Sequence, residues 1–238
     1  MNLKRISRRR GDMRMLKKTD WHRSQKAEIE FWKKRPKVDS HFSTIYWKKE
    51  LSEFGRGFDI FENKKIIEIG CGPMGMIHYI PGKEKIGLDP LIENYENLGI
   101  LENRDVKYIK GKAEIINFCD NYFDIAICLN VLDHTENPKE VLRDIKRVLK
   151  FGGILILHTH YIIYWFKKLF IFFIKILDKP HPHHFNHKEI NKMINDANGY
   201  KAIFKKNTVF HWKARNIIKH IIAKLIVRNY YVILKKIF

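Results

Sequence analysis

The sequence is short of acid. Its 238 residues hold 26 Asp and Glu against 46 Lys and Arg, a formal net charge of +20. It is also short of cysteine, with Cys71, Cys119 and Cys128 in no paired spacing and no zinc-type partners beside them. That excludes a disulfide framework and fits a reducing, cytoplasmic setting. The basic N-terminus has no apolar run behind it, so no secretory signal is expected. An uninterrupted apolar run of spanning length is missing too. Residues 161–177 (YIIYWFKKLFIFFIKIL) are broken by Lys167, Lys168 and Lys175. The histidines of His181-Pro182-His183-His184-Phe185 have no supporting Cys or acid pattern, and the prolines prevent helical presentation, so no metal is expected.

The charge becomes informative once divided. Residues 1–60 carry 17 Lys+Arg against 8 Asp+Glu, residues 61–157 carry 13 against 15, and residues 158–238 carry 16 against 3. A near-neutral centre is therefore flanked by basic segments, which suits an anionic partner: nucleic acid, acidic lipid headgroups or a phosphorylated substrate. A lysine-rich coding habit gives the same excess with no partner at all.

The near-neutral centre holds the stretch around which the chain is organised, Ile66-Ile67-Glu68-Ile69-Gly70-Cys71-Gly72-Pro73-Met74-Gly75. A short apolar run ending in glycines reads as a buried strand entering a tight turn. Glycine there lets backbone approach a ligand closely. Glu68 is the anomaly, because a carboxylate in a buried strand is costly unless a partner satisfies it. Gly70-x-Gly72-x-x-Gly75 satisfies the dinucleotide-binding fingerprint, and Asp89 follows about 20 residues later, as that fingerprint asks.

A second block decides between cofactor families. Asn121-Tyr122-Phe123-Asp124 leads into the apolar run Ile125–Leu129, then Asn130-Val131-Leu132-Asp133-His134. Pro138 to Lys150 reads as an amphipathic helix with Val141, Leu142, Ile145, Val148 and Leu149 on one side. Phe151-Gly152-Gly153 stops it and Ile154–Leu157 reads as the next strand. From about Ile66 to Leu157 the chain resembles the class I S-adenosylmethionine-dependent methyltransferases, in their small-molecule, type 11-like branch. A dehydrogenase is not expected to carry this second half. The resemblance implies an α/β fold: a Rossmann-like, seven-stranded, mostly parallel sheet with helices on both faces, plus N-terminal helices and amphipathic helical insertions.

It also implies roles. Glu68 and the Gly70-Cys71-Gly72 turn, with Gly75 behind it, would face the methionine end of S-adenosyl-L-methionine. Asp89, followed by Pro90, resembles the family's ribose-binding acid. Lys112-Ala113-Glu114 stands where the adenine is bordered, and Leu129-Asn130 beside the sulfonium. A general base is needed only if the acceptor must lose a proton. His134 is the first candidate for it, with His158, His160 and His184 behind.

The remaining expectations are coarser. Residues 1–20 read as a flexible basic arm and 21–238 as one domain, with a cofactor core at 61–157 and a substrate or lid region at 158–238. Helices are expected at Ser24–Lys34, Asp39–Glu53, from Gly75 towards Ile80, Leu91–Leu101, Asn186–Ala197 and Trp212–Arg228. Strands are expected at Lys65–Gly70, Lys85–Asp89, Val106–Lys110, Tyr200–Val209 and, antiparallel, Tyr230–Ile237. Residues 161–177 suit an interfacial helix or a lid, and equally a dimer or core helix. The expected partner is a small-molecule, glycan or lipid-linked acceptor, with an anionic membrane surface beside it and a peripheral location on the inner face of the membrane. Nucleic acid is the weaker partner. Leu129-Asn130-Val131-Leu132 is not the Asn/Asp-Pro-Pro-aromatic motif of base-amino methylases, which leaves ribose or ring-carbon methylation of RNA as the alternative. A non-catalytic membrane- or RNA-binding protein on the same fold is the other rival, opposed by the intact Glu68, Gly70, Gly72 and Asp89.

Overall fold

Five of the expected apolar runs lie side by side as parallel strands: β1 (Lys65–Ile69), β2 (Glu84–Asp89), β3 (Val106–Lys110), β4 (Phe123–Leu129) and β5 (Leu149–Ile162). With β6 (Tyr200–Val209) and β7 (Val227–Lys236) they make one seven-stranded sheet in the order β3-β2-β1-β4-β5-β7-β6. Only β7 runs the other way, antiparallel to both of its neighbours. This is a computed structural model, and it describes residues 18–35, 40–101, 105–169, 183–210 and 223–238. Helices α1 (Lys18–Lys33) and α2 (Ser40–Ser52) precede the sheet, and α3 (Ile92–Asn97), α4 (Pro138–Val148) and α5 (His187–Asp196) lie between its strands.

Strand alternation sends side chains to two cores, one on each face. Ile67 and Ile69 join Val141, Leu142 and Ile145 of α4 and Ile190 and Met193 of α5. Ile66 joins Leu51 and Phe54 from the region of α2 and Ile92 of α3. Local chemistry sets the helix starts. Pro138 opens α4, where its missing N–H costs nothing. Asn186 caps α5 in a capping box, its side chain accepting from Glu189 N at 3.1 Å while Glu189 Oε2 accepts from Asn186 N at 2.8 Å.

The structure departs from the sequence expectations in several places. The helix expected after Gly75 is a single tight turn, Met76–His78, and the one at 91–101 shortens to α3. β5 begins at Leu149, because Phe151-Gly152-Gly153 bulges within the strand: Phe123 faces Leu149, yet Ile125 faces Ile154. At its other end β5 runs on to Ile162, held there by pairing with Val227. Arg228 is consequently a strand residue of β7 and not the end of a basic helix. Residues 164–169 and 223–226 are helical, while the rest of the two expected basic helices, at 170–177 and 212–222, lies outside the described residues. So do residues 1–17 of the expected arm and His181-Pro182. Residues 18–20 already belong to α1.

Candidate active site at the carboxyl ends of the strands

Strand order reverses at β1, which has β2 on one side and β4 on the other. Such a switch point opens a crevice at the carboxyl ends of the strands. A cleft lies there, lined by Gly70 and Gly72 after β1, by Asp89 and Pro90 at the end of β2, by Gly111 to Glu114 after β3, and by Asn130, Val131, His134 and Thr135 after β4. Trp21, Gln25 and Glu28 of α1 close it from above.

The glycine turn is built for close approach. Gly70 and Gly72 have φ of +67° and +50°, the left-handed region that side chains rarely adopt. A Cβ on Gly70 would stand 2.4 Å from Val131 Cγ2. One on Gly72 would meet nothing within 4 Å, so this turn shows bare backbone to the cleft. Asp89 fixes it from below: Oδ2 accepts from Gly72 N at 3.0 Å and Oδ1 from Leu91 N at 2.8 Å. Burial pushes the Asp89 carboxyl up to about 6, with the Glu28 charge adding to it and the two N–H donors opposing.

Glu68 corrects the sequence reading. It does not line the cleft. Its carboxyl group turns inward and accepts from Met76 N at 3.2 Å and Ile77 N at 2.7 Å, so backbone eight and nine residues on satisfies it. Burial raises it to about 8. Gly75 is likewise outside the cleft: a Cβ there would lie 2.3 Å from Cys71 O and 2.6 Å from Glu68 Oε2, so it is glycine for packing. Cys71 is buried in the core on the α2 face, its Sγ packed where Gly87 leaves room. Leu129 packs on the same core.

The β3 and β4 ends are tied together by Glu114, whose Oε1 accepts from Glu136 N at 2.7 Å and Asn137 N at 3.1 Å. Lys112 bridges from Glu136 Oε1, at 2.9 Å, to the face of Trp21, 4.1 Å from the ring centroid. Asn130 turns the chain out of β4 with φ of +56°. His134 lines the cleft with Nδ1 3.0 Å from Ser24 Oγ of α1 and Nε2 3.9 Å from Asp133 Oδ2.

The other histidines separate from it. His184 does not line the cleft. Its neighbour His183 stacks on Phe185, with Nε2 2.9 Å from Thr135 O, and so steadies the loop after β4. His158 is buried against Tyr231, ring centroids 4.4 Å apart, and desolvation lowers it to about 3. His160 Nδ1 meets Asn229 Oδ1 at 2.9 Å. Three residues of α1 line the cleft that the sequence reading did not single out. Trp21, Gln25 and Glu28 are spaced four and three apart, which places them on one face of α1, and that spacing was the available signal.

Residues 67–157 match a family described as "Methyltransferase domain". This central stretch is an S-adenosylmethionine-dependent methyltransferase domain. Over 150 residues it is 29% identical to a tRNA U34 carboxymethyltransferase of Campylobacter jejuni, covering 57% of this chain and 50% of that protein. It is 29% identical over 102 residues to human thiol S-methyltransferase TMT1B, covering 40% and 42%. The chain thus spans about half the length of the curated relatives it matches. A solved S-adenosylmethionine-dependent methyltransferase from Thermotoga maritima shares the fold with a TM-score of 0.57 at 20% identity, covering 92% of this chain and 100% of that one. No helix among the described residues is long and apolar enough to cross a membrane.

Proposed function

We propose that this methyltransferase acts on a small-molecule, glycan or lipid-linked acceptor that is anionic or presented at a membrane. The observation that carries the site assignment is the Gly72–Asp89 unit: bare left-handed backbone held against a buried carboxylate at the switch point. A second feature fits the cofactor. Gln25 Oε1, in the wall of the cleft, is buried with no hydrogen-bond partner among the described residues, and S-adenosylmethionine carries hydroxyl and ammonium donors.

S-adenosylmethionine supplies an activated methyl group on a sulfonium. The chain's part is to bind and place it. Asp89, with Pro90 behind it, would accept from ribose hydroxyls; Gly70 and Gly72 would offer backbone; Ala113 would border the base and Asn130 the methyl-bearing end. Glu114 serves by tying the loops together, and Glu68 by holding the Met76–His78 turn. An in-line displacement depends chiefly on position, and Trp21 and Gln25 supply the α1 wall of the cleft that fixes it. Where the acceptor must lose a proton, His134 takes it. Ser24 fixes the ring through Nδ1, and Asp133 lies beside Nε2 to stabilise the charge gained. His184 is withdrawn as a base because it does not reach the cleft.

Two observations favour a second reading, RNA as the acceptor: the Campylobacter relative is named for tRNA, and this chain carries a net charge of +20. Labelled S-adenosylmethionine incubated with separated lipid, glycan, small-molecule and RNA fractions distinguishes the two. Label in the lipid, glycan or small-molecule fraction supports the first reading. Label in RNA alone replaces it with the second.

A further inference from the structure

At the same edge of the sheet, beyond β5, the surface changes character. β5 ends at Ile162 opposite Val227, where β7 begins, so residues 163–169 and 223–226 both leave from the carboxyl edge on which the cleft opens. They are joined, Ile163 N donating to Ile226 O at 3.0 Å. Large apolar side chains stand in solvent here: Trp165 is 68% exposed, Leu169 73% and Leu225 63%. Isolated exposed hydrophobics are ordinary, but these stand on two neighbouring segments joined at Ile163 and Ile226.

Cations are interleaved with them. Lys168 lies over the Trp165 ring at 5.7 Å and Lys188 over the Tyr164 ring at 4.9 Å. Lys224 is exposed, and Arg228 Nη1 donates to Lys224 O at 3.0 Å, which folds its guanidinium into the same patch. Acid does not offset this charge. Of the three acids in residues 158–238, Glu189 is paired with Lys167, and Asp196 with Lys139 at 2.9 Å and Lys192 at 3.6 Å. Asp178 lies outside the described residues.

We infer that the patch formed by Tyr164, Trp165, Lys168, Leu169, Lys224 and Leu225 docks on an acidic lipid bilayer and sets the cleft's edge towards it. Lysines beside indole and aliphatic groups match the layered chemistry of a bilayer surface, where phosphate lies outside and acyl chain within. RNA phosphates satisfy the lysines but leave Leu169 and Leu225 in water. Charge calls for an anionic surface, and the exposed Trp165, Leu169 and Leu225 select acidic lipid among such surfaces. The inference deepens the reading of a membrane-presented acceptor and rests on it, yet its test does not need catalysis.

The full chain is sedimented with vesicles of phosphatidylcholine, alone or with phosphatidylglycerol, at low and high salt. Salt-sensitive capture by the acidic vesicles is expected, since surface charges are screened as ionic strength rises. Lys168→Glu with Lys224→Glu is expected to lower partitioning by about tenfold or more, as two attractions become repulsions. Trp165→Ser with Leu225→Ser is expected to lower it at high salt as well, because that part is apolar. Wild-type indifference to acidic vesicles, equal capture of the variants, or capture by an RNA oligonucleotide alone overturns the proposal. Both pairs are expected to keep wild-type affinity for S-adenosylmethionine by calorimetry. If that is lost together with vesicle binding, the patch is structural and the proposal fails. A wild-type chain that binds vesicles but not S-adenosylmethionine would instead overturn the cofactor assignment and leave docking standing.

Discussion

The backbone N–H of Gly72 donates to Asp89 Oδ2 at 3.0 Å, so the turn after β1 and the end of β2 are one hydrogen-bonded unit. Asp89 therefore has two tasks, shaping the turn and meeting the ligand. Asp89→Ala removes an acceptor from the N–H groups of both Gly72 and Leu91. Bonds to a charged acceptor are each worth about 1.5–3 kcal/mol, so cofactor affinity is expected to fall by tenfold or more. Calorimetry with S-adenosylmethionine reads this directly. Unchanged affinity would remove Asp89 from the site.

Glu68 makes stability depend on pH in a direction opposite to that of a salt-bridged acid. Its carboxyl is raised from 4.5 to about 8 by burial, so between those values the folded chain holds a proton that the unfolded chain has released. Stability from this group is complete below the unfolded value and is lost as pH rises through the folded one. Asp89, raised from 3.8 to about 6, acts in the same sense over a lower window. Glu68→Gln cannot titrate. The melting temperature of wild type relative to Glu68→Gln is expected to fall between pH 5 and pH 8, because burial disfavours the charge that appears over that range. A flat difference across that range would show Glu68 to be ionised throughout, held by the N–H groups of Met76 and Ile77.

Much of this was legible beforehand, and the errors have physical causes. β6 falls on residues 200–209 as its composition suggests, and β3 on 106–110. The glycines at 70 and 72 announced the turn, and Asp89 the end of β2. The resemblance turned Glu68 towards the cofactor; a sequence shows a buried acid but not what satisfies it, and here local backbone N–H groups do. β5 outran its apolar run because pairing with β7 carries His158, Thr159 and His160 into the ladder, a tertiary effect that propensity does not contain. Periodicity identified a helix near α1 but not which face it would show to the cleft.

His134 separates binding from turnover. Its ring is positioned by Ser24 at 3.0 Å, on a helix distant in sequence, and lies in the cleft wall. His134→Ala is expected to leave cofactor affinity near wild type and to slow methyl transfer by about a hundredfold, the lower end for a positioned general base. Ser24→Ala, which keeps the imidazole but releases its orientation, is expected to cost less than His134→Ala and to alter the pH dependence of turnover. Wild-type rates across the pH range in His134→Ala would exclude it as the base.

Trp21 offers an optical test of the cleft itself. It forms part of the wall, and Lys112 is held between its ring, at 4.1 Å, and Glu136, at 2.9 Å. The other described tryptophans have different surroundings: Trp32 donates to Glu28, Trp47 donates to Met74 O, and Trp165 is exposed. A cofactor entering the cleft must change the environment of Trp21 before that of the others. Titration with S-adenosylmethionine is therefore expected to shift the chain's fluorescence, and Trp21→Phe to abolish most of the shift while preserving an aromatic wall. Trp21→Ala opens the wall and releases Lys112. A cation over an aromatic ring contributes about 0.5–1 kcal/mol at an exposed site, and the lost apolar contact adds to that. A several-fold to tenfold weaker affinity is expected, expressed mainly as faster release, because truncating one wall changes how long a ligand stays more than how fast it arrives. If Trp21→Phe keeps the full fluorescence change, the cofactor does not lie under α1.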